Sequence, residues 1–563
     1  MKVGIDTASG YLHRYPGHDA RIAPLNRYRT NCRPMRCEAL LVLFALPALL
    51  PTPEAMAQMT DPIWVYHKEV APFNGSIPRT VEVDGQGCSV FLDVLVLGAS
   101  PSGWSVLITS VDPQGQEVWS DTLLDHLGMP HADLVIDENN RVYACAMGPG
   151  SIRVRKYEPN GAVLWTSDIP HTGLQDLPLF IDEGEGYVFV ATTCMGDSLG
   201  REFLVHGLTD AGVPIWEIRV PWSAFLSNEF MGGLCVDSSG RPYVTGYSFD
   251  TLAGSWVTLA LDTDGSVRWE ARAFPSIVAY GTDILPTEDG RIVVLGMKAA
   301  QLIGETDLAV LVYDTTGTLM WNQQVSIGGV DVSMDLSIGP DGSVYCIGTG
   351  TAPDGSRDLG AFSFDPTGLP TWSYILDDGP LHVLGSGIVS EAGGSCVLVG
   401  TRADPLQGGR SAVFTQRLDA AGQPLWSDLY AVPNTWMNGA NDVVLDPVGD
   451  ILVHGVMRDT VVLSEILLLK YAQNTGLSGP GSATNAFLVW PNPATDRVRI
   501  ACAGFDGSSS LRLIDALGRV VAWGAPGMRH LDLGAQAPGL YTVAAVNAQG
   551  SVLMHSPLVV VDR

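Results

Sequence analysis

The feature that most constrains the fold is a glycine–tryptophan pair that recurs through most of the chain. An acidic residue precedes the pair in DPQGQEVW, DTDGSVRW and four similar segments, whereas Thr209 takes the acidic position in TDAGVPIW. Tryptophan follows glycine by four residues every time, and successive tryptophans lie 46 to 54 residues apart. They are Trp119, Trp165, Trp216, Trp269, Trp321, Trp372 and Trp426. Such a fixed period indicates a repeat architecture.

A second pattern, clearest in LCVDSSGRPYVTG, lies between successive tryptophans and consists of two short apolar runs around an Asp/Gly turn. Asp hydrogen-bonds the backbone two residues on, and Gly adopts the positive φ that closes such a turn. Two hairpins per period make four strands, which is the unit of a β-propeller blade. We therefore predict an all-β chain with a propeller over residues 58–476, in which the tryptophans pack between blades.

The two ends of the repeat region complement each other. The last repeat, NDVVLDPVGDILVHG followed by LLLKYAQNTG, lacks a tryptophan strand, and Trp64 belongs to an apolar segment with no preceding hairpin. Because a ring leaves no free sheet edge, we predict that Ile63 to Val70 closes the last blade. This gives eight four-stranded blades. A seven-bladed ring with one degenerate repeat outside it is the alternative.

The segments VDSSGRPYVTGYS and LALDTDGSVRW resemble the seven-bladed propeller repeats of exported bacterial proteins. This resemblance covers roughly 410 residues and implies a fold without implying any chemistry. The tryptophan motif is also similar to that of quinone-dependent alcohol dehydrogenases, which place one more residue between Asp and Gly. Their vicinal cysteine pair and metal-ligand pattern are absent from this sequence, so we expect no cofactor.

The composition changes after residue 476, where a Gly/Ser/Pro linker (477–487) precedes short strand-like runs over 488–563. Such runs, separated by Gly and Pro turns, predict a small Ig-like β-sandwich. This stretch resembles the type A C-terminal sorting domain of the type IX secretion system of Bacteroidetes. The matching motif residues are Pro491, Asn492, Pro493, Gly518, Arg519, Gly539 and Tyr541. The resemblance implies that the secretion machinery is a partner and that the domain is cleaved after export.

The N-terminus has the pattern of a signal peptide. Residues 39–50 form an apolar run too short to span a membrane, and Arg33 and Arg36 precede it. We predict a leader over 1–57 that is cleaved between Ala57 and Gln58, with translation from Met35 as an alternative start. The protein is then secreted or held at the cell surface, with no membrane span.

The charge of the chain restricts its partners. The net charge is −28, and removing the leader takes away 7 Lys+Arg and 4 Asp+Glu, so that 25 basic residues face 56 acidic ones. The mature chain carries −31 and repels nucleic acids and anionic membranes. We expect no nucleic-acid partner and a monomeric chain.

Four aspartates are the strongest candidates for a binding site. Asp133, Asp283, Asp335 and Asp442 each precede the first hairpin turn of a repeat by four residues, at the entrance to the expected inner strand. Carboxylates converging at a channel mouth would attract a cation. The competing interpretation is that each Asp caps its strand by local hydrogen bonding.

Other chemistry-bearing patterns are missing from the sequence. It contains no HExxH, P-loop or HxH motif and no Cys/His cluster, so we predict no catalytic residue and no metal site of those kinds. The histidines occur singly, and His206 and His454 lie within strand-like runs. The most economical function is an exported binding or scaffold module. An extracellular hydrolase or lyase, with an active site assembled from several blades, is the alternative.

Tryptophans outside the repeat positions are candidates for an exposed aromatic patch that binds a glycan or a protein. These are Trp104, Trp222, Trp256 and Trp436.

Overall fold

A computed structural model describes residues 62–473 and 487–560 apart from short gaps. The gaps in the first range are 71–72, 98–102, 127–130, 149, 171–178, 196–200, 221–227, 250–253, 275–277, 300–303, 406–407, 432–434 and 460–464. Those in the second are 491–493, 495–496, 503–509, 516–518, 525–527, 529, 534–535 and 547–551. All elements over these ranges are β-strands, in agreement with the predicted all-β class.

The first range forms eight antiparallel four-stranded sheets, which are the blades of the propeller. Blades 1 to 4, from inner to outer strand, are β2 (Phe73–Val83), β3 (Ser89–Leu97), β4 (Trp104–Val111), β5 (Glu117–His126); β6 (Ala132–Ile136), β7 (Val142–Gly148), β8 (Ser151–Tyr157), β9 (Val163–Pro170); β10 (Leu179–Gly184), β11 (Tyr187–Met195), β12 (Arg201–Thr209), β13 (Pro214–Val220); and β14 (Asn228–Val236), β15 (Pro242–Phe249), β16 (Gly254–Leu261), β17 (Val267–Ala273).

Blades 5 to 7 repeat the same order, and blade 8 takes its outer strand, β1, from the N-terminus. These blades are β18 (Ala279–Pro286), β19 (Ile292–Ala299), β20 (Thr306–Tyr313), β21 (Leu319–Val325); β22 (Val332–Ile338), β23 (Val344–Thr351), β24 (Arg357–Phe364), β25 (Pro370–Leu376); β26 (His382–Ser390), β27 (Cys396–Asp404), β28 (Arg410–Leu418), β29 (Pro424–Tyr430); and β30 (Thr435–Leu445), β31 (Ile451–Asp459), β32 (Glu465–Tyr471), β1 (Trp64–Glu69).

The closing strand confirms the eight-bladed prediction. β1 pairs antiparallel with β32 over its whole length, from Trp64 opposite Lys470 to Glu69 opposite Glu465. The inner strands contact one another in sequence around the ring, and β30 of blade 8 contacts β2 of blade 1. The N-terminal segment therefore supplies the strand that the last repeat lacks.

The middle strands of the blades form the core because they are apolar on both faces. Every residue of β7 (VYACAMG) and of β16 (GSWVTLAL) is buried. Outer strands instead alternate exposed and half-buried residues, as in β13 and β21. The described cysteines are free thiols, and Cys145, Cys346 and Cys396 are buried in middle strands as small apolar side chains.

Strand order gives the propeller two different faces. The turns within the first and second hairpin of each blade lie on one face, which we call the turn face, and most span five residues, as at 84–88 and 112–116. The remaining connections lie on the opposite face, which we call the loop face. They range from two residues (149–150) to eight (171–178), so the lengths of the connections vary more on the loop face than on the turn face.

The C-terminal region is a small two-sheet sandwich, as predicted. One sheet contains β33 (Phe487–Trp490), β34 (Arg497–Cys502) and β37 (His530–Asp532). The other contains β36 (Val520–Trp523), β35 (Ser510–Asp515), β38 (Gly539–Val546) and β39 (Val552–Val560). Leu511, Leu531, Val543 and Leu558 belong to the buried cluster shared by both sheets.

Candidate functional site

The repeat tryptophans join each blade to the next one. The indole N–H of Trp119 donates to the carbonyl of Pro159 (3.0 Å), which lies two residues before Gly161 in the following copy of the motif. The corresponding acceptors for the other tryptophans are Pro113 for Trp64, Asp210 for Trp165, Thr263 for Trp216, Thr315 for Trp269 and Pro366 for Trp321. A copy of the motif therefore supplies a tryptophan ring that docks on the next copy and a turn that receives the ring of the preceding copy.

Glycine is required at the receiving turn for two reasons. Gly161 has φ +83°, a left-handed conformation that favours glycine. A Cβ there would lie 2.5 Å from Cγ of Trp119, well inside van der Waals contact. Trp372 lies against Gly422 in the same way. These contacts explain why the spacing between glycine and tryptophan is constant.

Trp426 marks the blade where the pattern ends. Blade 8 takes its outer strand from the N-terminus, so it has no turn between β32 and the outer strand that could receive the Trp426 ring. The indole is 2% exposed and its N–H has no hydrogen-bond acceptor among the described residues. Its ring instead packs against Tyr471, with centroids 5.6 Å apart.

The four predicted aspartates lie on inner strands and bridge neighbouring blades. In Asp335, Oδ1 accepts the N–H of Leu336 (2.9 Å) and Oδ2 accepts the N–H of Ile388 in the next blade (2.7 Å). Asp442 bonds in the same way to Val443 and to Val81 of blade 1. Asp133 uses Leu134 and Ile181, and Asp283 uses Ile284 and Leu336.

These bonds supply the local hydrogen bonding expected of a capping role and extend it to the next blade. They also occupy oxygens that a cation would need. Cation binding by the four aspartates stays a prediction.

A fifth aspartate of this kind escaped the sequence pattern. Asp182 accepts the N–H of Glu183 (2.8 Å) and that of Val236 in blade 4 (2.7 Å). Ile181 of blade 3 holds the position of Leu336 in blade 6 and of Ile388 in blade 7. In blade 6 the aspartate comes directly before this position, whereas Asp182 comes directly after it. Asp182 therefore lies two residues later than its counterparts. Since the side-chain period of a strand is two, this shift keeps the carboxylate on the same face. A search that allowed two-residue shifts would have found it.

The carboxylates share the space inside the ring and raise one another's pKa. Burial is the largest cause in each case, and it raises the pKa of Asp133 and of Asp182 to about 7 and that of Asp283 to about 6. Asp442 adds repulsion to residues of other blades, including Asp133 and Asp335. Glu82, which the sequence pattern also missed, has a pKa of about 8 for the same reasons. The channel wall is therefore only partly ionised at neutral pH.

These shifts predict that the propeller loses stability as pH rises from about 5 to 8. A folded-state pKa above the unfolded value of about 3.8 means that the folded chain binds more protons in this window, so the free energy of unfolding falls with increasing pH. The slope amounts to about 1.4 kcal/mol per pH unit for each fully titrating group. Thermal unfolding at several pH values measures it.

Two substitutions make this pH test specific. Asp283→Asn is expected to flatten the slope by removing one titrating group. The exposed turn residue Asp264 has a lowered pKa, so Asp264→Asn is expected to leave the slope between pH 5 and 8 unchanged. An unfolding temperature that is constant or rises over this window contradicts the prediction.

The two histidines singled out in strands are buried. His206 lies in β12, with its Nδ1 3.8 Å from Oε2 of Glu217. His454 lies in β31 of blade 8, and its Nε2 is 3.2 Å from Oδ2 of Asp93 in blade 1. The side chains of His454 and Asp93 are 0% and 1% exposed, so this pair is buried at the junction between blade 8 and blade 1.

The predicted aromatic patch is wrong for Trp256. Its side chain is fully buried in blade 4, and its indole N–H donates to Oγ1 of Thr245 (3.0 Å). The apolar strand around it packs against blade 5, which leaves no face for a ligand. Trp104 is half-buried against the core between blades 1 and 2. Trp222 and the side chain of Trp436 lie outside the described residues.

Most of the predicted processing and sorting residues also lie outside the described part of the chain. These are Ala57, Gln58, Pro491, Asn492, Pro493 and Gly518. Arg519 precedes β36 and is exposed, and Gly539 begins β38. The hydroxyl of Tyr541 donates to the carbonyl of Ala537 (2.8 Å), which anchors the start of β38.

The described residues contain no group of three or more His, Cys, Asp or Glu side chains placed to hold a metal ion. Nor do they contain a helix with the length and hydrophobicity needed to cross a membrane.

Comparisons with known proteins give distant structural matches. No family model and no curated protein matches the chain. A puromycin hydrolase aligns at 14% identity and a TM-score of 0.37, over 69% of this chain and 62% of its own. The polysaccharide lyase Uly1 aligns at 9% identity and a TM-score of 0.37, over 60% of this chain and 90% of its own.

The β-propeller domain of the Trilobed protease from Pyrococcus furiosus aligns at 12% identity and a TM-score of 0.36, over 66% of this chain and 99% of its own. The chain thus spans less than two thirds of the puromycin hydrolase. The eight paired four-stranded sheets, rather than these alignments, establish that this chain contains an eight-bladed β-propeller.

Proposed function

We propose that the mature chain is an exported binding module whose ligand contacts the loop face of the propeller. The observation that carries this proposal is the contrast between the two faces. Most turn-face connections span five residues and are held by the same Asp hydrogen bonds, whereas loop-face connections vary from two to eight residues. Variable loops on a rigid frame are a common arrangement for binding sites.

The rigidity of the frame supports the same role. Asp137 caps its turn by accepting the N–H groups of Asn139 and Arg141, and its counterparts Asp112 and Asp419 do likewise. These bonds hold each turn, and the docked tryptophans fix each blade to its neighbour. A rigid frame lowers the entropy that a binding surface loses when its ligand docks.

A glycan and peptide array probed with the mature full-length chain tests the binding role. Specific binding is expected, and replacing 171–178 and 221–227 by Gly/Ser segments of equal length is expected to abolish it without lowering the unfolding temperature. Binding that survives both replacements contradicts a role for these two loops, and an array without any specific signal contradicts the binding role. Time-dependent cleavage of an arrayed glycan or peptide favours the hydrolase or lyase alternative.

We also propose that the C-terminal sandwich directs export through a type IX secretion system. The sequence motifs support this proposal, and the two-sheet architecture is compatible with it. In a bacterium that has such a system, removing residues 477–563 is expected to leave the propeller in the periplasm. Removing only the signal peptide, as a control, is expected to hold the chain in the cytoplasm. Propeller without residues 477–563 that still reaches the surface or the medium refutes the sorting role.

A further inference from the structure

Asp358 is a buried carboxylate without a hydrogen-bond partner, close to the loop face of blade 6. It is the second residue of β24 and pairs with Gly350 of β23. The residue is only 5% exposed, and its Oδ1 has no hydrogen-bond donor in the described part of the chain. Burying a carboxylate without a donor is strongly unfavourable. A structure that retains such a group needs a counterpart for it.

Two exposed carboxylates lie beside Asp358. β24 and β25 pair Leu359 with Leu376, and one step further along the same register places Asp358 opposite Asp377. Asp354 lies in the connection between β23 and β24. Burial first, and then repulsion from Asp377 and Asp354, raises the pKa of Asp358. Like charges opposite each other on a sheet are destabilising, so the arrangement favours a positive group nearby.

The neighbouring polar groups are partly committed to other bonds. Asp354 uses Oδ1 for the N–H and hydroxyl of Ser356, and Asp377 uses Oδ1 for the N–H of Gly379. His382 Nδ1 accepts the N–H of Arg357 (3.0 Å). The nearby Arg402 is paired with Asp378. Oδ2 of Asp354 and Oδ2 of Asp377 therefore have no assigned donor among the described residues.

We propose that Asp358, Asp377 and Asp354 bind the cationic head of an organic ligand, an alkylammonium or a guanidinium group. Both groups offer several N–H donors, and charge-assisted bonds to a desolvated carboxylate are among the strongest hydrogen bonds in proteins. A metal ion fits less well, because these side chains are not spaced as a metal-ligand group. The inference rests on the proposed binding function of the loop face and names the chemistry that the face recognises.

Ligand-observed NMR with the mature full-length chain tests the site at physiological ionic strength. The probes are Nα-acetyl-lysine methylamide, its arginine analogue and the uncharged norleucine analogue. We expect the two cationic probes to bind and the norleucine probe not to bind. The isosteric variant Asp358→Asn is expected to weaken binding about 10-fold or more, because it removes a charged acceptor.

A matched control separates this site from general attraction by an acidic protein. Glu288→Gln removes one charge from an exposed residue on the turn face and is expected to leave binding unchanged. Equal binding of lysine and norleucine probes, or equal weakening by both substitutions, overturns the proposal. Ca²⁺ binding that depends on Asp358, without binding of either cationic probe, overturns it in favour of a metal site. Specific array signals that persist in Asp358→Asn keep the binding function and reject this site.

Discussion

Replacing His454 with leucine is expected to destabilise the propeller by about 1–3 kcal/mol, because the buried carboxyl group of Asp93 then loses its hydrogen-bond partner. The two side chains lie on different blades and are 3.2 Å apart, at 0% and 1% exposure. Their other polar atoms, Nδ1 of His454 and Oδ1 of Asp93, have no hydrogen-bond partner among the described residues. No other hydrogen bond of these two side chains can therefore compensate for the lost contact. Denaturant unfolding of the mature chain measures it.

The other blades supply the control for this prediction. At the position of His454, opposite the channel aspartate, they carry apolar residues such as Leu295 and Ile347. At the position of Asp93 they carry glycines such as Gly296. The double variant Asp93→Gly/His454→Leu removes both buried polar side chains and is expected to recover at least half of the lost stability. A double variant no more stable than His454→Leu, or a single variant as stable as the wild type, contradicts the prediction.

Gly161→Ala is expected to cost about 2–5 kcal/mol, the sum of left-handed backbone strain and overpacking against Trp119. The backbone has φ +83°, and the added Cβ would meet the indole at 2.5 Å. The ring cannot retreat without breaking its hydrogen bond to Pro159. Denaturant unfolding measures the loss, and a change in the packing of Trp119 is expected to appear in its fluorescence.

Gly150 separates the two contributions. It has φ +80° but nothing within 4 Å of an added Cβ, so Gly150→Ala carries the strain alone, about 1–2 kcal/mol. The difference between the two variants is the cost of displacing the tryptophan. If Gly161→Ala is no worse than Gly150→Ala, the docking of Trp119 on its neighbour contributes nothing to stability.

The propeller could be predicted from the sequence because its repeat places turn residues and tryptophan at fixed spacing. The closing role of β1 was also accessible, since an orphan tryptophan strand and a missing one stand at opposite ends of the repeat region. The partner of each tryptophan was not accessible, because spacing within one motif does not reveal that the ring docks on the next copy of that motif. The backbone path around Gly161 settles this contact.

The candidate site was only partly predictable for a related reason. Asp133, Asp283, Asp335 and Asp442 share one offset from their turns, whereas Asp182 is shifted by two residues and was missed. The backbone donors that join Asp133, Asp283 and Asp335 to the next blade lie about 50 residues away, for example Ile388 for Asp335. Trp256 was misjudged because a tryptophan outside the repeat position can equally fill an interior strand, and burial depends on the neighbouring blade.

The pairing of β1 with β32 also governs when the molecule can finish folding. His67 and Glu465, whose side chains are 3.3 Å apart in this blade, are separated by 398 residues in the chain. Closing a loop of that length costs about 5 kcal/mol of chain entropy by the logarithmic law for flexible chains. Seven blades can assemble from local hairpins as the polypeptide emerges, but the eighth waits for nearly the whole chain. Until then the edge of β32 that β1 covers in the finished ring is unpaired.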